Sequence, residues 1–255
     1  MTYPIHTWPM KLSHSRTPCR PVKAKNSVGQ TGAALAMAIT ALLLSACAST
    51  PPPPDWQANA FGALKSYSSA YLAGNTRVAD HEFARAKAEV ARTGRPDLMA
   101  RLELARCATQ VASLMFEPCN GYLAVSMDAK PAEQAYANFL SGNWSGLELT
   151  LLPVAYQPLV AQVQRQTIPT TAEHQLSQIE DPLSRLIAAS SLLKKELLKP
   201  SDIALAIDTA SNQGWRRPLL AWLGMQVKYS QTEGDAATVA SLKRRIDLVL
   251  QTPAY

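Results

Sequence analysis

Histidine and cysteine are scarce in this 255-residue chain, which contains four of each. Glycine is also sparse, with 11 residues against 18 prolines. The few histidines and cysteines form no cluster with metal-ligand spacing, and no glycine-rich phosphate loop or Gly-x-Ser-x-Gly nucleophile turn occurs. No apolar run reaches the ~20 residues of a membrane-spanning helix. We therefore predict no metal, no cofactor and no catalytic residue.

Acidic residues are absent from residues 1–46, where five basic residues lie. These five account for most of the net charge of +6, because the rest of the chain has 20 Lys and Arg against 19 Asp and Glu. The chain after residue 46 thus lacks the excess of basic charge typical of nucleic-acid-binding proteins, and we expect no such partner. Basic clusters at 194–199 and 243–245 indicate either a site for an anionic partner or ordinary solvated helix faces.

The first 46 residues have the layout of a secretory signal, in which a basic stretch precedes an apolar run. That run, Ala33 to Ala46, has about 14 residues, which disfavours the alternative of a transmembrane anchor. The sequence Leu44-Ser45-Ala46-Cys47 resembles the lipobox of bacterial lipoproteins. This resemblance implies cleavage before Cys47, a diacylglycerol on its sulfur and palmitate or another acyl chain on the new amino terminus. The leader is long for this class, so Met10 is an alternative start.

The residues after the lipobox indicate where the mature protein resides. In enteric lipoprotein sorting an Asp after the lipidated cysteine retains the protein in the inner membrane, so Ala48 implies an outer-membrane protein facing the periplasm. Residues 47–54 include four consecutive prolines and form a tether that spans at most about 25 Å. We therefore expect the domain formed by residues 55–255 to lie close to the membrane surface.

Two cysteines remain after the leader cysteine and the lipobox cysteine, Cys107 and Cys119. In an oxidising compartment such a pair favours one disulfide, and two buried free thiols are the alternative. In one continuous helix the two residues would be ~18 Å apart, whereas a disulfide needs Cα atoms within ~7 Å. The helix that holds Cys107 must therefore end near Phe116, and residues 117–121 must fold back along it.

Helical patterns fill most of residues 55–255, and strand patterns are absent. Cap residues, prolines and glycines predict helices at Asp55–Ala73, at Thr76–Arg92, from Pro96 through Cys107, at Pro131–Leu140, from Pro182, from Ser201 to Gly214, at Pro218–Thr232 and after Asp235. We predict an all-α domain of about nine to eleven helices. Residues 153–172 are the hardest to assign, because three prolines interrupt them.

A short internal repeat is visible in the helical region. Residues 71–75 are echoed at 139–143, an offset of 68 that equals two periods of the ~34-residue tetratricopeptide repeat. The turn glycine and the small, aromatic and small positions of that repeat match Gly74, Ala79, Phe83 and Ala86. The second copy departs from the pattern, with Gly142, Leu147, Leu151 and Val154, and Leu223-Gly224 resembles a third fragment.

The chain thus resembles degenerate tetratricopeptide-like helical-repeat proteins. The resemblance implies helical hairpins packed as a short α-solenoid, and an irregular helical bundle is the alternative. It also implies a non-enzymatic scaffold that binds a periplasmic envelope protein. Trp215, Arg216, Arg217 and Trp222 are candidate partner-binding residues, because Trp and Arg dominate interface hot spots. Core packing of both tryptophans is the alternative.

Two other function classes stay open. A cell-wall hydrolase would use paired carboxylates, for which Glu103, Glu117 and Glu148 are candidates. Glu103 lies among leucines, where burial would raise its pKa, but a solvent-facing carboxylate or a pair with Arg106 is the alternative. A carrier of lipid or another apolar ligand would need a helix-lined cavity. The only histidines after Cys47, His81 and His174, are interpreted as solvated surface residues.

Overall fold

A computed structural model describes residues 53–165 and 175–251. The predicted signal peptide, the lipobox with Cys47, and His174 lie outside these ranges. Within them the chain forms ten α-helices and no strand, which confirms the all-α prediction. None of these described helices is both long and apolar enough to cross a membrane.

The helices follow one another with short connections. The first five are α1 (Asp55–Ala73), α2 (Thr76–Ala91), α3 (Pro96–Val111), α4 (Asn120–Leu123) and α5 (Pro131–Ser141). The next five are α6 (Gln157–Gln164), α7 (Pro182–Lys194), α8 (Pro200–Asn212), α9 (Arg216–Thr232) and α10 (Ala236–Gln251). Proline is the first residue of α3, α5, α7 and α8, where its missing N–H removes no helical hydrogen bond.

The first two helices form a tight hairpin at the place where the repeat pattern fits best. Gly74 has φ +96°, and the Asn75 side chain caps α2 by accepting a hydrogen bond from the Val78 amide at 3.2 Å. Ala79 and Ala86 are completely buried on the inner face of α2. These small side chains leave room for close packing on the inner face of α2, and α2 packs against α1 and α3.

The second copy of the pattern does not form a helical hairpin. Gly142 ends α5 with φ +80°, but residues 143–156 contain only the 3₁₀ turns Leu149–Leu151 and Val154–Tyr156. A Cβ atom on Gly142 would lie 3.1 Å from Cβ of Lys194, so this glycine lets the ends of α5 and α7 approach closely. Gly142 therefore ends α5 in a left-handed conformation and allows close packing against α7, but it does not join two helices.

Helix α3 lies at the centre of the bundle and contacts α1, α2, α4, α5 and α7. Helix α9 also contacts α1, and Trp222 donates its indole N–H to the Ala112 carbonyl at the end of α3, at 3.2 Å. In an open solenoid each repeat contacts only its neighbours. The return of α9 to the first helices is instead a property of a bundle.

Candidate functional site

A disulfide ties the end of α3 to the chain that follows it. Helix α3 ends at Val111, and Leu114 takes φ +59°, which turns the chain back. Cys119 then meets Cys107 with the two Cα atoms 5.9 Å apart and the sulfur atoms at bonding distance. The predicted pairing and fold-back are confirmed, although the helix ends five residues earlier than Phe116.

A polar cleft of about 180 Å³ opens beside this disulfide. Its walls come from α3 and from the returning chain, and they include Glu103, Arg106, Gln110, Glu117, Asn120 and Tyr122. The fold thus brings together two of the three carboxylates that sequence analysis singled out, Glu103 and Glu117. Glu148 does not line this cleft; it is exposed and accepts a hydrogen bond from the Thr150 hydroxyl at 2.5 Å.

Glu103 is the buried acid of the cleft, with 4% of its side chain exposed. Its Oε1 lies 2.8 Å from Nζ of Lys87 on α2, so neither predicted alternative, solvent or Arg106, is correct. The backbone of Gly121 packs against the carboxylate so closely that a Cβ atom there would collide with it. Lys87 and Gly121 therefore fix the Glu103 side chain in one position.

Arg106 is the basic residue of the cleft. Its guanidinium carbon lies 4.7 Å from the centre of the Phe83 ring, and its backbone carbonyl accepts a hydrogen bond from the Tyr67 hydroxyl at 3.4 Å. Burial raises the pKa of Tyr67 above its ordinary value, so that hydroxyl stays protonated. Arg106 thus places a fixed positive charge between the aromatic side chains of the hairpin and the cleft.

The chain that follows α3 exposes apolar side chains. We call residues 114–128 the exposed segment, and four of its large side chains have relative exposures of 37% or more: Met115, Phe116, Leu123 and Met127. Met127 is 95% exposed in the 3₁₀ turn Ser126–Asp128, and Leu123, the last residue of α4, is 57% exposed. The Lys194 ammonium lies 5.3 Å from the centre of the Phe116 ring, and burial lowers its pKa. In the sequence analysis Phe116 was named only as the expected end of a helix, and none of the four was singled out as exposed.

The candidate partner-binding residues on α9 are engaged inside the molecule. Trp222 is completely buried, as the core-packing alternative states, and Trp215 is partly buried against the core. Arg216 donates to the Val249 carbonyl at 3.2 Å, near the end of α10. Arg217 donates to the Tyr71 carbonyl at 2.7 Å. The two arginines thus join α9 to α10 and to α1.

The remaining candidates form no reactive centre in the described parts of the chain. His81 is exposed, with Nδ1 3.4 Å from Glu82, and no group of three or more His, Cys, Asp or Glu side chains there is placed to hold a metal ion. The basic residues Lys243, Arg244 and Arg245 are exposed on α10.

An apolar cavity of about 50 Å³ lies between α1, α3, α5 and α7. Its walls include Leu64, Leu104, Tyr136, Tyr156 and Ile187. Such a volume holds a few water-sized groups, whereas sites for small-molecule ligands measure ~300 to ~1,000 Å³.

No family model, curated protein or solved structure matches this chain.

Proposed function

We propose that this protein is a lipid-anchored scaffold of the bacterial cell envelope, without enzymatic activity, which binds a periplasmic protein through the exposed segment. The observation that carries the proposal is the set of four exposed apolar side chains within residues 115–127. Exposed apolar side chains grouped in one short segment favour an interaction site, because burial against a partner removes them from water.

The disulfide supports this role because it limits the freedom of the segment before a partner arrives. Cys119 is bonded to a helix that packs against five others, so the start of the segment is held to the bundle core. A segment that is ordered in advance loses less conformational entropy on binding, which strengthens association. The disulfide would thus raise the affinity of the segment for its partner without contacting the partner.

The location is proposed from the leader. The lipobox-like sequence ending in Cys47 supports lipidation, and Ala48 supports an outer-membrane protein that faces the periplasm. The α1–α2 hairpin, with Gly74 and the buried Ala79 and Ala86, supports a distant relationship to tetratricopeptide-like proteins. These inferences do not depend on the exposed segment.

A cell-wall hydrolase is the second candidate, because the cleft contains both Glu103 and Glu117. The ion pair of Glu103 with Lys87 at 2.8 Å favours a structural role for this carboxylate, since the pair joins α3 to α2. Purified protein should therefore release no soluble fragments from peptidoglycan. If the wild-type protein releases such fragments and the variants Glu103→Gln and Glu117→Gln do not, the protein is a hydrolase instead.

The carrier of an apolar ligand has weaker support, because the cavity of about 50 Å³ is too small for an acyl chain. Native mass spectrometry of the purified protein should show no co-purified lipid beyond the anchor. A stoichiometric bound lipid would favour the carrier over the scaffold.

Site-specific photo-cross-linking tests the scaffold proposal. A photoreactive amino acid at Met127 should give one discrete protein adduct in intact cells. The same amino acid at Leu248, which is 67% exposed on α10, is the matched control and should give none. Equal adducts from both positions, or none from Met127, would contradict the proposal.

A further inference from the structure

The disulfide lies in the wall of the open cleft rather than in the core. Both Cys107 and Cys119 line the cleft of about 180 Å³. Cys107 is 4% exposed, whereas Cys119 is only partly buried. A thiolate can therefore approach from the cleft, on the side of Cys119.

The charges around the cleft affect how fast this bond is cleaved in the folded protein. Arg106 lines the same cleft, next to Cys107 in sequence. A nearby cation lowers the pKa of a cysteine thiol and thereby makes its thiolate a better leaving group. Glu117 lines the cleft as well and has the opposite effect, while the charge of Glu103 is already paired with Lys87.

We propose that the Cys107–Cys119 pair is a thiol–disulfide exchange site for a dithiol reductant. The first thiolate of the dithiol attacks Sγ of Cys119 and forms a mixed disulfide, and Cys107 leaves as a thiolate that takes up a proton. The second thiolate of the dithiol then attacks the mixed disulfide and releases Cys119. The protein gains two electrons and two protons, and the dithiol becomes a disulfide.

Opening this bond removes the covalent attachment of the exposed segment, which then depends on weaker contacts such as the buried Tyr122 and the packing of α4 on α3. The segment therefore loosens while the bundle stays intact. Between Val111 and Pro131 the chain has one four-residue helix and one 3₁₀ turn. Leu114 is held at φ +59°, an unfavourable conformation for a side chain other than glycine. Helix α3 also contacts α1, α2, α5 and α7, and these contacts do not involve the disulfide. Reduction therefore changes local order and not the fold.

The test is reduction of the full chain with dithiothreitol, without denaturant, followed by alkylation and mass spectrometry. We expect Cys107 and Cys119 to become alkylated while the helical circular dichroism signal persists. Hydrogen exchange should then accelerate at residues 114–128 and remain unchanged in α1 and α2. Resistance of the bond until denaturant is added, or loss of the whole helical signal on reduction, would overturn the proposal.

Charge variants separate an exchange site from a bond that is merely accessible. Arg106→Gln should slow native-state reduction about two- to fivefold, and Glu117→Gln should accelerate it by a similar factor. Arg245→Gln removes an exposed charge on α10 and is the matched control, with no change expected. Because Arg106 also contacts Phe83, its effect alone could be structural. If Glu117→Gln is reduced at the wild-type rate, as the Arg245→Gln control is, the proposed effect of charge on the exchange is wrong.

Discussion

Single small residues decide where helices of this bundle can meet. Ala79 and Ala86 have no exposed surface, and the Tyr67 and Phe83 rings lie 5.3 Å apart between the two helices. A larger side chain at a buried alanine must displace its neighbours, since protein interiors are close-packed. A larger side chain on the outer face of α2 would contact only solvent.

The substitution Ala79→Leu tests this packing. We expect it to lower the free energy of unfolding by about 1–3 kcal/mol, because the added side chain overpacks the contact between α1 and α2. Ala84→Leu makes the same chemical change at an exposed position of α2 and should alter stability by less than about 0.5 kcal/mol. Equal urea midpoints for the two variants would show that Ala79 does not lie in a tight helix crossing.

At the scale of elements, α3 is held at both ends. The disulfide ties its last turns to the exposed segment. At its first turn Asp97 contacts both Arg95 and Lys130, at 2.8 Å each, and Lys130 directly precedes α5. The hydrogen bond from Arg95, with help from Lys130, holds the pKa of Asp97 well below its ordinary value.

The substitution Asp97→Asn should have a pH-dependent effect. Because the pKa of Asp97 is lowered in the folded state, its contribution is fully present above the unfolded pKa of ~3.9 and declines as the pH falls towards the folded value. The Asp97 side chain is 16% exposed, but its partners Arg95 and Lys130 are more than half exposed and solvent screens the pair, so we expect a loss of at most about 1 kcal/mol at pH 7. Urea midpoints should differ between variant and wild type at pH 7 and converge as the pH falls below about 4. A difference that grows in acid would contradict the account.

Helix starts could be predicted from sequence because their signals are local. Pro96, Pro131 and Pro182 each begin a helix where sequence analysis placed one. The end of α3 could not be predicted, because Leu114 adopts a positive φ that residues other than glycine rarely take. No residue-type signal marks such a turn.

The site was only partly predictable for a different reason. The separation of the two cysteines in sequence and the oxidising compartment predicted from the leader were sufficient to pair Cys107 with Cys119. The partner of Glu103 is Lys87, 16 residues away on another helix, and that contact depends on how α2 packs against α3. The burial of Trp222 likewise depends on the return of α9 to α3. These two contacts between elements were beyond the reach of sequence patterns.

The helices described within residues 55–251 differ from an open solenoid in a way that bears on binding. A solenoid presents a long concave surface to its partners. Here α9 packs against α1 and α3, so the described helices form a closed bundle. The surface proposed for binding is therefore the exposed segment at the end of α3. The proposed lipid anchor would keep this bundle near the membrane.

The substitution Cys47→Ser tests the anchor. The variant should accumulate as an uncleaved precursor that takes up no labelled fatty acid, because serine lacks the sulfur that carries the lipid. Wild-type protein should be cleaved, labelled and recovered in the outer-membrane fraction. Normal cleavage and fractionation of the variant would exclude the lipoprotein interpretation.

The central claim is that exposed apolar side chains after α3 bind a protein, and quantitative co-isolation tests it most directly. Full-length wild type, the pair Leu123→Ser and Met127→Ser, and Val154→Ser would each be isolated from cross-linked envelopes. Val154 is 77% exposed and outside the segment, so its variant controls for the loss of apolar surface. The account predicts that wild type and Val154→Ser recover the same partner equally and that the pair recovers at least about tenfold less, a loss of about 1.4 kcal/mol. Equal recovery by all three proteins would contradict it.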